Sequence, residues 1–321
     1  MSESVVAQPK GGMVSSGAYT RPSGGGVAAT ASTLGLRPPR RLTRGRAGRL
    51  TLRLLLYAAA VFVFVLPLWT LAATAFSGGL ARLGQVMLLP KHATFGNLSQ
   101  AWNLGVARGL LNSVIVAVVG LALQLTVSTL AAHALARKRF RGSTVVLLLI
   151  LATMMMPEEV IAVPLFQVLG KIPQPFTGGT LVNSYAGLIL PLVGWALPVF
   201  VLTGFMRRIP MELEEAARVD GASELRILTR IIVPLCLPAL GTCAVFGFLM
   251  IWDQYLLPLL VAQTPDMNTL TVVVTSLQAS QEQGEGVKLA AVLVLMVPGV
   301  LVYLGLQRLF ERGLLSGSLK G

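Results

Sequence analysis

Charge is scarce in this chain: Asp, Glu, Lys and Arg make up 12% of its 321 residues, against 54% hydrophobic. An ordinary soluble domain carries about 25% charged residues. The shortage excludes a water-facing globular surface of this size and points to the bilayer as solvent. Histidine is almost absent. His92 and His133, the only two, fall on either side of a predicted span, so no convergent His, Cys, Ser or Asp constellation offers itself to a membrane-embedded enzyme. Cys236 and Cys243 lie in one apolar run. On a single helix they would share a face about 10 Å apart, too far for a disulfide. With no paired histidine or second thiol pair they suggest no metal site and read as small packing residues. No G-x-x-x-x-G-K-[ST] loop occurs, so the chain does not itself hydrolyse nucleotide. Acidic residues number 13 against 26 basic, for a net charge of +13. The arginines gather at segment ends and form no patch interleaved with aromatics, which argues against nucleic acid as a partner.

What is present is a series of long apolar runs. Residues 1–36 are rich in Gly, Ser, Ala and Thr with no apolar periodicity, and Arg37, Arg40, Arg41, Arg44, Arg46 and Arg49 follow. Residues 1–50 therefore read as a disordered, basic N-terminal tail. The uncharged run from Leu54 to Phe76 would span about 35 Å as a helix, longer than a signal-peptide core. Similar runs at about 109–136, 144–170, 184–206, 233–262 and 288–307 predict six spans. Prolines within them are tolerable because neighbouring helices can satisfy freed carbonyls. The expected fold class is thus an all-α polytopic membrane protein. Basic residues concentrate before the first span, at Arg137, Lys138, Arg139 and Arg141, at Arg207 and Arg208, and at Arg308 and Arg312. These are alternate connections, so both termini and the 207–232 loop are expected in the cytoplasm. The segments at 77–108, 171–183 and 263–287 are expected outside.

The stretch RRIPMELEEAARVDGASELRILTRIIVPL is charged and helical in pattern, yet it lies between two spans. Pro210 suits a first helical position, Glu212, Glu214 and Glu215 favour the positive end of a helix dipole, and Glu214 can pair with Arg218 one turn on. Asp220 and Gly221 break the helix, and Ser223 can cap a second one. Leu213, Ala216 and Ala217 fall to one side, where the alanines would let a partner approach the backbone closely.

This segment resembles the EAA loop of ABC importer permeases, whose pattern is E-A-A, three residues, G, nine residues, I-x-L-P. Here Glu215, Ala216, Ala217, Gly221, Ile231 and Pro234 match, with Val233 in place of Leu. The resemblance runs from about Leu52 to Gly321 and narrows to the carbohydrate (maltose-type) inner-membrane permeases. It is carried also by LNSVIVAVVG, LAAHALARKRFRG, MPEEVIAVPLFQVLG, NSYAGLILPL, IWDQYLLPLLV and QRLFERGLLSGSLKG. It implies a permease domain over 51–321 whose loop at about 210–234 is the coupling helix of a separate ATPase. Glu214, Glu215, Ala216, Ala217, Asp220 and Gly221 are then the coupling residues. It further implies a second permease, two ATPase subunits that bind ATP and magnesium, and an extracytoplasmic solute-binding protein. No cofactor is expected on this chain. His133 stands where the family has an aromatic residue and reads as packing; Asp253 stands where the family commonly has Asn.

Ionisable residues within spans are costly and usually functional, so Glu158, Glu159 and Asp253, with Trp252 and Tyr255, are candidates for the solute path. The alternatives for them are pairing within the bundle for the glutamates and the outer interface for Asp253. Trp69, Trp195 and Tyr185 could stack on sugar rings or belong to interfacial aromatic belts. The expected cargo is a sugar or oligosaccharide, with glycerol 3-phosphate as the alternative. An ion-coupled secondary transporter would show inverted repeats and its own ion site, and neither is evident.

Overall fold

A computed structural model describes residues 44–78, 88–138, 140–174 and 178–318. Nearly all of the tail expected at 1–50 lies outside the described residues, as do Arg139 and the side chains of Arg44, Arg46, Arg308 and Arg312. The chain divides into two compact units, residues 1–59 and residues 60–321. Among the described residues the fold is all-α, with no strand beyond two isolated bridges.

Fourteen α-helices occur among those residues. They are α1 (Arg44–Ala75), α2 (Gly96–Ala101), α3 (Ala107–Arg137), α4 (Ser143–Thr153), α5 (Glu158–Leu169), α6 (Tyr185–Val193) and α7 (Ala196–Met206), followed by α8 (Glu212–Val219), α9 (Glu224–Ile227), α10 (Val233–Leu235), α11 (Leu237–Trp252), α12 (Leu256–Val261), α13 (Leu270–Ala279) and α14 (Glu285–Ser318). Four stretches are long and apolar enough to cross a membrane, and six if each of two bent pairs counts as one span.

The bent pairs occupy the spans expected at 144–170 and 233–262. Between α4 and α5 the chain turns by 101°. Pro157, extended at ψ 138°, ends the first half-span and starts the second, because proline cannot continue a helix inward from that position. The second bend, of 79°, falls at Cys236. Pro238 lacks the N–H that would bond the Pro234 carbonyl, so the ladder fails there. Of the two cysteines, both free and buried, Cys236 lies at this bend and Cys243 within α11. A difference lies in 263–287, read from sequence as a loop. Its LTVVVTSL run forms α13, whose Leu270, Val272, Val273 and Val274 are buried against the bundle.

The centre of the bundle is α3, packed on α6, α7, α11 and α13. Its buried stripe is small or polar, with Gly109, Asn112, Ser113, Ala117, Gly120, Gln124, Ser128 and Ala132 at helical spacing. In a membrane, small residues let helix backbones approach where no hydrophobic force drives them together.

Candidate functional site

Two places carry the chemistry. The first is the 207–232 loop. Helix α8 begins at Glu212, two residues after Pro210, with Glu212, Glu214 and Glu215 in its first turn. It closes on Gly221 at φ +77°, with Ala222 N–H donating to Ala217 O at 2.9 Å and Gly221 N–H to Arg218 O at 3.0 Å. That is a Schellman stop, and it requires the left-handed conformation that only glycine adopts without strain. A Cβ at Gly221 would meet nothing within 4 Å, so conformation alone selects glycine there. The Ser223 hydroxyl accepts from Arg226 N–H at 3.4 Å and starts α9.

The back of this helix pair is tied to the end of α3 by a ring of charge. Arg137 Nε lies 2.6 Å from Glu214 Oε1, both side chains almost wholly buried (3% and 0% exposed). Beside that ion pair, Arg137 Nη2 donates to Ile209 O at 2.9 Å and Nη1 to Met211 Sδ at 3.4 Å. Arg218 reaches Glu214 Oε2 at 3.3 Å and Glu224 Oε1 at 2.8 Å, and Lys138 Nζ completes the ring on Glu224 Oε2 at 2.9 Å. The hydrogen bond from Arg218, then that from Lys138, holds the Glu224 carboxyl down to about 2. The same bond to Glu224 raises the Arg218 guanidinium.

The front of the pair faces solvent. Glu215, Ala216, Asp220 and Gly221 are exposed and Ala217 is half-buried. Beside them Leu213, Val219 and Leu225 are 45%, 88% and 67% exposed, an apolar surface on an otherwise polar loop. Of the six residues grouped from the motif, Glu214 differs from the rest: its carboxylate turns inward to Arg137, away from anything that could dock outside. Ala217 likewise leans toward the core, whereas Leu213 and Ala216 stay outside.

The second place is a cavity of about 330 Å³ where three helix breaks meet: the α4–α5 turn, the Gly194–Trp195 step between α6 and α7, and the Asp253–Tyr255 gap after α11. Met154, Met156, Glu158, Trp195, Gln254 and Leu257 are among its lining. Glu158 sits in the first turn of α5, where the helix dipole favours a carboxylate. Gln254 Nε2 donates to its Oε2 at 3.4 Å. The wall is held from behind by Gln124 of α3, whose Nε2 donates at 2.9 Å to the Leu192 carbonyl. That carbonyl lost its helical partner at the α6–α7 break. A side chain on Gly247 would strike Gln124 Oε1, so glycine there is what lets this buried amide fit.

Of the five residues proposed from sequence for the solute path, only Glu158 lines this cavity. Glu159, Asp253 and Tyr255 are exposed nearby but outside it. Trp252 is turned into the bundle: its Nε1 donates to Leu295 O at 3.0 Å and its ring stacks on Phe248 at 5.4 Å. A buried indole must place its N–H, and an α14 carbonyl supplies the acceptor. Sequence reasoning missed Gln254 and the methionines. The signal available was the repeated coincidence of a break with a polar or aromatic residue.

Comparison with known proteins yields one family over most of this region. Residues 124–316 match the model of the binding-protein-dependent transport system inner membrane component. Diacetylchitobiose uptake system permease protein NgcG of Streptomyces coelicolor is 34% identical over 271 residues, covering 83% of this chain and 87% of that protein. The sn-glycerol-3-phosphate transport system permease protein UgpE of Pectobacterium atrosepticum is 34% identical over 241 residues, 71% of this chain and 82% of that one. Among solved structures, a bacterial ABC transporter involved in the import of the acidic polysaccharide alginate superposes with a TM-score of 0.70. It does so at 22% identity, over 84% of this chain and 98% of the other, and shares the fold.

Proposed function

The chain belongs to the family of binding-protein-dependent transport system inner membrane components, and on that premise we propose that it forms half of the membrane pathway of an ATP-driven importer for a sugar or oligosaccharide. Its partners are a second permease, two ATPase subunits that bind ATP and magnesium, and an extracytoplasmic solute-binding protein. Hydrolysis belongs to the ATPase. Both termini and the α8–α9 loop are cytoplasmic in this reading.

The observation that carries it is the α8–α9 pair: a loop with an exposed apolar face at Leu213, Val219 and Leu225, backed by buried charge and stopped by Gly221. A surface of that kind is built to dock. Glu215, Ala216, Asp220 and Gly221 form its contact edge with the ATPase. The cavity supports a neutral, hydroxyl-rich cargo. Its lining offers a carboxylate, an amide and an indole and includes no Arg or Lys, and indole faces stack well on apolar ring surfaces. Glycerol 3-phosphate is the second reading, favoured by the likeness to UgpE. Loss of glycerol 3-phosphate uptake with sugar uptake intact in a deletion strain would overturn the preference for sugar.

The decisive experiment is stimulation of ATP hydrolysis by loaded binding protein in reconstituted complexes. Gly221→Leu forces a branched side chain to positive φ, at a cost of about 1 kcal/mol or more, and Glu215→Lys reverses charge at the helix start. Both should abolish stimulation while the chain still inserts. Wild-type stimulation in both variants would reduce the loop to a connector. A cysteine introduced at Gln281 should react with an impermeant label from outside and one at Ser223 should not.

A further inference from the structure

We propose that Arg137 is the positioning residue through which the α8–α9 pair moves the transmembrane core, its buried contact with Glu214 making the loop and α3 one mechanical body. The proposal rests on the reading of that loop as the ATPase-docking element. Two covalent connections leave the loop. Toward α7 the chain passes through the 207–211 turn. Toward α11 it passes through a π-helical segment at Leu228–Ile232 and the 79° bend at Cys236. Both covalent routes are interrupted, and interrupted helices bend where they are broken. Helix α3, by contrast, is an unbroken α-helix of 31 residues, about 46 Å long.

Arg137, in its last turn, grips the loop at three points, the Ile209 carbonyl, the Met211 sulfur and the Glu214 carboxylate. Because the pair is almost free of solvent, water does not screen it as it would an exposed pair. Arg218, Glu224 and Lys138 extend the grip to α9. A push on α8–α9 therefore arrives at α3 along a rigid contact. Further along the same helix, about 20 Å from Arg137 by helical rise, Gln124 holds Leu192 O in the cavity wall. The contacts from docking surface to cavity are contiguous: Glu214, Arg137, α3, Gln124, Leu192.

The test uses the full complex in proteoliposomes, with a sugar-loaded binding protein. Removing one charge would strand the other in the interior and could prevent folding. The informative variant therefore removes both, as Arg137→Met with Glu214→Leu, which leaves an apolar contact of similar volume. The expected result is ATPase recovered with the permease at wild-type yield, and solute transported per ATP reduced at least about fivefold, the lower end of coupling between distinct sites. Arg137→Lys, which keeps charge but loses the multi-point grip of the guanidinium, should fall between. Wild-type transport per ATP in the double variant would overturn the proposal, as would loss of the ATPase from it, since the pair would then shape docking and not transmission. A second measurement needs neither substitution. Spin labels at exposed Leu130 of α3 and Arg226 of α9 should keep one separation in nucleotide-free and ATP-bound complexes; a change in that distance would refute a single body. If instead the wild-type permease recovers no ATPase at all, the docking reading fails, and the outcome is distinct from a failure at Arg137.

Discussion

The two ends of α3 are fastened by different chemistry. At the Arg137 end, side chain meets side chain through opposite charges, in a ring of Arg137, Glu214, Arg218, Glu224 and Lys138. At the opposite end the partner is mostly backbone, held by neutral amides and hydroxyls and by Arg108, whose Nε donates to Asp266 O at 3.0 Å. Asn112 donates to Asp266 O and Asn268 O at 2.7 and 2.8 Å and accepts from Tyr185 OH at 2.7 Å, and Ser113 Oγ accepts from Leu270 N–H at 2.8 Å. Side-chain-to-backbone bonds fix one loop conformation and respond little to salt. A charge ring instead clamps one element to another through their side chains, and it draws its strength from burial on one side only. One end is built as an anchor and the other as a joint, and this suits a protein driven from the joint.

The largest effect should come from breaking the joint on its buried side. Glu214→Gln leaves Arg137 without a counter-charge in a desolvated site, a loss of about 3–5 kcal/mol. It should lower the unfolding temperature of the detergent-solubilised chain more than any single change at the anchor. Asn112→Ala removes three hydrogen bonds, yet the Asp266 carbonyl keeps its bond from Arg108 and the groups left over are neutral and part-buried, so about 1–3 kcal/mol is expected. Thermal unfolding of both variants under one condition decides the order. An Asn112 variant less stable than the Glu214 variant would reverse the assignment of joint and anchor.

The parts of this arrangement that were legible in sequence are the local ones. Apolar length gave the spans, and Glu214 with Arg218, Gly221 and Ser223 act within a turn or two of one another, so spacing was enough to pair them. The partner of Glu214 that matters most was not legible. Arg137 is separated from it by four helices, and its place at a span end gave it an adequate reading as a topological anchor. The bends were only partly legible, because proline is tolerated within spans and its presence alone does not say whether a span turns there. Trp252 looked like a solute-path residue because an aromatic beside an acid at a span end fits both roles. Only its hydrogen bond to Leu295 O separates them.

The smallest and most discriminating expectation concerns the exposed side of the joint. Glu224 ordinarily titrates near 4.5 and is held to about 2 by Arg218 first and Lys138 second. A carboxyl whose folded value is depressed contributes stability that is fully present above its unfolded value and is lost as pH falls toward the folded one. The leg through Glu224 should therefore be intact at neutral pH and loosen as pH drops from about 4.5 toward 2. Because Lys138, Arg218 and Glu224 are all solvent-facing, about 1 M salt should loosen the same leg at neutral pH by screening. The Arg137–Glu214 contact, out of reach of salt, should hold, and so should the neutral bonds at Asn112. Hydrogen exchange, corrected for intrinsic rates, reads all three places at once. Amides of α9 should exchange faster in salt, while those of α8 around Glu214 and of the Asp266–Leu270 segment should not. Uniform loosening of α8 and α9 would mean that the ring acts as one solvent-screened cluster, and the division of the joint into a buried and an exposed leg would have to be given up.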